Sequence, residues 1–421
     1  MSGNLTGRAG ALASALIAII AWMVFADAAL AANPVRIGLS LSLTGPTAPA
    51  GKQVLAGLEI WRDDVNARGW LLGRPVELVY YDDQGNPVNG PGIYEKLMGI
   101  DKVDLIIGPY STQVIAATLP TIMQHNRTTL GIFGLGSNQA FHYQRYFSMN
   151  SQGPSPANYS KCVFDLAAEQ NPKPTRVALV GADVEYSRHA LDGARENAKA
   201  AGMQVVIERT YPLSTTDFTP IVRAIQAANP DIVFAATLPV DTVSIIQAAK
   251  EIQFKPKMIG GAMLGLLVTG LKQKLGPAIN GYISNEFYIP APSLQFEGTA
   301  RMLEEYQKRA AAFGTDPLGY TYPPYAYAAG QILAKAVTVT NSLNDETLAA
   351  YLSKTTFDTV IGPISFGKDG EWKTPRIICL QFQGISGGDL GQFKDWTRQI
   401  VVYPKEYKSG DFVYPFEKAA H

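Results

Sequence analysis

Signatures of catalysis and metal binding are scarce in this 421-residue chain. Two cysteines, Cys162 and Cys379, are too few for a cysteine-rich zinc site or a disulfide scaffold. The four histidines, His125, His142, His189 and His421, form no HxH or HxxxH pair, so no structural metal is expected. Lys plus Arg and Asp plus Glu each total 36, for a net charge of zero. Nucleic-acid binders carry a surplus of positive charge, so that class is excluded. There is no GxSxG elbow. Gly362 to Lys368 fits GxxxxGK, but Asp369 stands where a phosphate loop needs Ser or Thr for magnesium. Gly134-Leu135-Gly136 is half a dinucleotide fingerprint, with Gln139 in place of its last glycine. Asp63-Asp64 reads as a solvated helix face and Asp82-Asp83 as a turn. No enzyme activity and no cofactor are expected.

Long apolar runs are missing too, once the first thirty residues are passed. Arg8 precedes an apolar stretch over residues 9–26, and Ala29 and Ala31 set small residues where a signal peptidase reads. Ala26-Asp27-Ala28 is a second such position. Residues 1–31 are expected to be a cleaved export signal, the alternative being an uncleaved anchor. No later stretch approaches the ~20 apolar residues of a span, so a soluble periplasmic product is expected. In that compartment Cys162 and Cys379 either pair or stay as two buried thiols; spacing does not decide.

With 47% hydrophobic and 17% charged residues the chain is globular. A short apolar run at 35–41 reads as a strand. Val54, Leu58, Trp61 and Val65 then mark one face of a helix. Strands at 76–81, 103–107 and 129–133 alternate with helices at 94–100 and 111–124. From Thr175 the order restarts, with strands at 176–180, 204–208, 231–236 and 257–259 and helices between them. This predicts an α/β fold of two doubly wound lobes with parallel sheets. Helices at 294–312, 325–339 and 345–352 have no strands between them and must cover a lobe. Residues 360–366 and 376–383 read as a hairpin turning at Lys368-Asp369-Gly370-Glu371. The expected division is 32–149 for lobe 1, 150–282 for lobe 2, 283–355 for lobe 1 again, and 356–421 for a lobe 2 hairpin and tail. The chain then crosses between lobes more than once, and the crossings form a hinge.

In such sheets ligands sit at the carboxyl ends of the strands. Ser111 and Thr112 start a helix directly after a strand. They are either plain caps or part of an anion site, where free N–H groups, the helix dipole and hydroxyls hold a carboxylate. Gly136-Ser137 is a second such spot. Tyr186, in a polar loop of the other half, is either core or an apolar lid.

The mature chain resembles the periplasmic leucine/isoleucine/valine-binding family, the type I solute-binding proteins of branched-chain amino-acid ABC importers. The resemblance rests on Ile37-Gly38-Leu39-Ser40-Leu41-Ser42-Leu43-Thr44-Gly45, Tyr81-Asp82-Asp83-Gln84, Ile106-Ile107-Gly108-Pro109-Tyr110-Ser111-Thr112, Thr216-Asp217-Phe218 and Ile361-Gly362-Pro363-Ile364-Ser365-Phe366, in that order. It implies two Rossmann-like lobes, a three-strand hinge, no catalysis, and a monomer that delivers a small molecule to inner-membrane ABC permease subunits. By position, Ser111, Thr112, Gly136 and Ser137 would grip a ligand carboxylate, Tyr186 would close over it, and Tyr322 would line the pocket with Leu238, Ala262 and Met263. Amino-acid binders of the family place an acid in the loop that here reads Gly261-Ala262-Met263-Leu264. This chain has none, and Asp241 is the substitute to consider. Ala50 replaces a bulky aromatic, and Thr237-Leu238-Pro239 lacks tyrosines. A larger carboxylate, such as an aromatic acid, is therefore expected over leucine. An amide, urea or purine ligand, or a ligand-sensing receptor domain, are the alternatives.

Overall fold

The computed structural model describes residues 33–134 and 141–419. The expected export signal at 1–31 lies outside the described residues, as do Gly136 and Ser137. The first half runs β1 (Val35–Leu41), α1 (Ala48–Ala67), β2 (Val76–Asp82), α2 (Asn89–Gly99), β3 (Leu105–Tyr110), α3 (Thr112–Gln124), β4 (Thr129–Ile132) and β5 (Tyr146–Ser148). The second runs α4 (Asn158–Ala168), β6 (Arg176–Ala182), α5 (Glu185–Ala200), β7 (Gln204–Tyr211), α6 (Thr219–Ala227), β8 (Ile232–Thr237), α7 (Pro239–Glu251), β9 (Met258–Met263), α8 (Thr269–Leu275) and β10 (Ile283–Glu286). Then come α9 (Thr299–Phe313), α10 (Tyr322–Thr340), α11 (Asp345–Leu352), β11 (Thr356–Thr359), β12 (Gly362–Ser365), β13 (Ile378–Phe382), β14 (Gln399–Tyr403) and α12 (Phe416–Ala419). Among the described residues no helix is long and apolar enough to cross a membrane.

Two large sheets hold all of these strands except β11 and β12, which pair with each other, as the alternation predicts for the two lobes. The first has the order β2-β1-β3-β4-β5, all parallel. The second has the order β14-β13-β10-β9-β8-β6-β7. Its stretch β7-β6-β8-β9-β10 is parallel and repeats the first sheet's order; β13 adds antiparallel to β10, and β14 antiparallel to β13. Helices on both faces explain why β3 and β8 are buried at every residue. In each sheet the strand order reverses once, between β1 and β3 and between β6 and β8, which opens a crevice at the carboxyl ends.

Both α9 and α10 pack on α1, covering the first sheet. Gly330 of α10 makes the close approach possible: a Cβ there would lie 2.2 Å from the buried Trp61 ring.

The expected hairpin does not form. β12 pairs with β11, whereas β13 joins the second sheet between β10 and β14. The two segments serve different cores. Phe366 packs on Phe147 and Phe357 beside the first sheet, while Ile378–Phe382 is buried throughout in the second. Likewise β10 belongs to the second sheet, so the later crossings fall at 287–298 and 366–377 and not at the expected 282 and 355.

Three crossings lie side by side. The Ser148 N–H donates to Gly370 O at 2.8 Å, the Arg376 N–H to Ser151 O at 2.6 Å, and the Ser151 hydroxyl to Phe287 O at 3.3 Å. Cys162 of α4 and Cys379 of β13 are joined as a disulfide, with 6.2 Å between their Cα atoms.

Glu371 sits in the third crossing, 2% exposed, and neither carboxylate oxygen has a hydrogen-bond partner. The nearby Ser148 hydroxyl is turned to Gly134 O. Burial pushes the Glu371 carboxyl up to about 7 from its ordinary 4.5. The folded chain therefore keeps this proton where the unfolded chain has lost it. The stability this contributes is complete below about 4.5 and disappears as pH rises through about 7. Glu371→Gln keeps the shape without the charge. Thermal melts should show the variant gaining on the natural protein from pH 5 to 8, by at most about 1.4 kcal/mol per pH unit. Parallel pH profiles would show that Glu371 does not titrate in the hinge.

Candidate functional site

The carboxyl ends of both sheets meet at one cavity. From the first lobe come Thr47 after β1, Tyr110, Ser111, Thr112 and Gln113 around the end of β3, and Phe133 after β4. From the second come Tyr186 after β6, Leu238 after β8, Leu264 after β9 and Phe287 after β10. Tyr159 at the start of α4 and Tyr322 at the start of α10 complete the wall. The loop after β1 is held by Asp83, which accepts the Ser40 and Ser42 hydroxyls at 2.8 Å each. Asp82 accepts the Leu43 and Thr44 N–H groups at 2.9 and 3.2 Å, so the Tyr81-Asp82-Asp83-Gln84 stretch holds the start of the loop that carries Thr47.

Ser111 carries the most telling geometry. It precedes α3 with φ +82°, a left-handed conformation costly for a residue with a Cβ. It is 93% buried by its 7% exposure, and its Oγ has no hydrogen-bond partner. An orphaned buried hydroxyl costs about 1–3 kcal/mol. Strain and an unpaired hydroxyl donor thus meet in one residue, at a helix start that lines the cavity. Phe133 is a second wall residue at positive φ, +60°.

Six of the wall residues are aromatic, and their rings run edge to face around the space. Tyr322 lies 5.8 Å from Tyr110 and 5.2 Å from Phe133; Phe133 lies 4.8 Å from Phe287; Tyr159 lies 6.0 Å from Tyr186. The Tyr186 hydroxyl donates to Ala262 O at 3.1 Å. Burial pushes the Tyr110 hydroxyl up to about 12 and raises Tyr186 and Tyr322 further, so all three remain protonated donors at neutral pH. No Asp, Glu, Lys or Arg stands among these lining residues. The space they leave is about 40 Å³.

The structure brings Ser111, Thr112, Tyr186, Leu238 and Tyr322 together. Ala262 and Met263 stay inside β9 and do not reach the wall; Leu264, just beyond the strand, takes that place. Ala262 acts instead through its carbonyl, which holds Tyr186. Asp241 is also out of the wall, its carboxylate accepting the Tyr211 hydroxyl at 3.1 Å. Sequence reasoning missed Tyr110, Phe133, Tyr159 and Phe287 as wall residues. Three of them announce themselves as aromatics at the carboxyl ends of β3, β4 and β10.

Comparison with known proteins agrees with this geometry. The pattern of the family described as Periplasmic binding protein matches residues 34–383. The chain belongs to the periplasmic binding protein family. Leu/Ile/Val-binding protein homolog 2 of Brucella abortus is 25% identical over 370 residues, 86% of this chain and 93% of its own. A solute-binding protein of an ABC transporter from R. palustris, solved with benzoate, superposes with a TM-score of 0.72 at 18% identity, covering 88% of this chain and 96% of that one. The branched-chain amino acid substrate-binding protein LivJ of Streptococcus pneumoniae, solved with isoleucine, gives 0.72 at 17%, covering 88% and 100%. The periplasmic binding protein described here thus shares its fold with solute-binding proteins of ABC transporters, and its relatives are binding proteins and not enzymes.

Proposed function

We propose that this periplasmic binding protein captures an aromatic carboxylate between its lobes and delivers it, as a monomer, to an ABC permease. The observation that carries this reading is the wall itself, which among the described residues has six aromatic rings, an orphaned Ser111 hydroxyl at the start of α3, and no charged side chain to meet an ammonium. A buried ammonium without a partner is costly, whereas a carboxylate on Ser111 and the first amides of α3 is stabilised by the helix terminus. An aromatic body fills a ring-lined slot edge to face. Benzoate in the R. palustris protein and 3,4-dihydroxybenzoic acid in one from Rhodopseudomonas palustris BisB5 are ligands of this kind on the same fold. Residues 1–31 are removed on export in this reading, which the intact mass of the periplasmic protein checks.

Calorimetry with benzoate, leucine and 4-methylpentanoate, the des-amino analogue of leucine, tests the ligand. Benzoate should bind most tightly, and 4-methylpentanoate at least as well as leucine. Tight leucine binding with none of 4-methylpentanoate would establish an amino-acid site and make Asp241 the first residue to mutate.

A further inference from the structure

Outside the cavity, one loop of the first lobe reaches across to the second. Residues 314–321 join α9 to α10. The loop is tied to α9 by the Tyr306 hydroxyl, which donates to Asp316 O at 2.7 Å, and by the Gln307 side-chain amide, which donates to Leu318 O at 3.2 Å. The Asp316 carboxylate is 8% exposed. One oxygen accepts two N–H groups of its own loop, Leu318 at 2.9 Å and Gly319 at 3.0 Å. The other accepts the N–H of Thr269, the first residue of α8 in the second lobe. Four residues on, Tyr320 sets its ring against Trp396, next to β14 in the second lobe, tilted by 31° with centroids 5.6 Å apart. Neither Asp316 nor Tyr320 lines the interlobe cavity.

We propose that Asp316 is a closure latch: a positioning residue that ties the lobes together through the Thr269 amide and sets ligand affinity without touching the ligand. This rests on the reading of the interlobe cavity as the binding site. A bond present only when the lobes are together favours the closed state, and observed affinity scales with the fraction of protein in the competent state. Parting the lobes exchanges a charge-assisted bond for water. By the usual net value of such bonds, the latch shifts closure on the order of tenfold.

Thr269→Pro tests the latch with little collateral change. It deletes the donated N–H, exchanges the buried threonine side chain for a ring, and leaves both bonds within the Asp316 loop. Proline is tolerated at the first position of a helix, and Val268 before it is already extended, at φ −105° and ψ 114°, as a residue preceding proline prefers. Benzoate affinity should fall about tenfold, mostly through faster dissociation, while the radius of gyration at saturating benzoate stays that of the natural protein. Asp316→Asn, which keeps an acceptor but loses the charge, should show a smaller loss of the same kind and covers the case in which Thr269→Pro fails to fold. Natural affinity together with an unchanged ligand-free radius of gyration, in whichever variant folds, overturns the latch. If the natural protein binds no benzoate, the aromatic-carboxylate reading falls by itself. The latch is then judged on the ligand-free scattering alone: a larger radius in the variant sustains it, and an equal one overturns it.

Discussion

Protein carrying Cys162→Ala together with Cys379→Ala is expected to lose on the order of 4–5 kcal/mol of stability in its second lobe. The two residues are 217 positions apart, and closing so long a loop removes much of the freedom of the unfolded chain. The Cα separation of 6.2 Å is one that a disulfide spans without moving the backbone. Its place in the fold adds a second reason. The second lobe is built from two pieces of chain, one entering at α4 and the other at β13, and the bond joins those two elements. Without it, the later piece is held by packing, by the pairing of β10 with β13 and by hydrogen bonds such as that from Lys272 Nζ to Gln399 Oε1 at 3.0 Å. Guanidinium unfolding, followed lobe by lobe, reads the loss, and thiol titration of the unreduced, unfolded natural protein should find no free thiol. Two titratable thiols and an unchanged unfolding midpoint would remove the bond from the account.

The next largest effect falls on the ligand. Ser111→Ala should weaken binding of an aromatic carboxylate by about tenfold or more, because a charge-assisted hydrogen bond contributes roughly 1.5–3 kcal/mol. The ligand-free protein should not suffer, since the deleted hydroxyl has no partner there. Ser111→Gly separates the two roles of this position. It removes the same hydroxyl but also accommodates the φ of +82°, so it should match the alanine variant in affinity and exceed it in melting stability by about 1 kcal/mol. Strain and an unpaired donor kept at one residue are then a cost carried for binding. Calorimetry and thermal melts on the two variants settle it: unchanged affinity in both would show that the carboxylate sits elsewhere in the cavity.

Much of the fold is legible because its signals are local. Apolar runs of strand length, helical faces such as Val54, Leu58, Trp61 and Val65, and the restart of the pattern at Thr175 need only near neighbours in the chain. They yield two parallel sheets, and parallel order then places the loops at the carboxyl ends. Ser111, Thr112 and Tyr186 were within reach for that reason. The segments read wrongly are those whose partners are remote. Residues 360–366 and 376–383 have the pattern of a hairpin, but the first packs under Phe147 and the second beside β10. A period-two pattern states that a strand has a buried face, and not which core buries it.

By itself, then, the amino-acid sequence determined the class of the protein, an α/β chain of two like lobes, and the loops from which the candidate site is built. Only the tertiary structure decided the rest. It ringed the cavity with Tyr110, Phe133, Tyr159, Tyr186, Phe287 and Tyr322, withheld Asp241 and Ala262 from it, paired Cys162 with Cys379, and set Asp316 against the Thr269 amide. The physical reason is range. Propensity and periodicity act over a few residues, whereas these contacts join groups brought together by three chain crossings and by the packing of one lobe against the other.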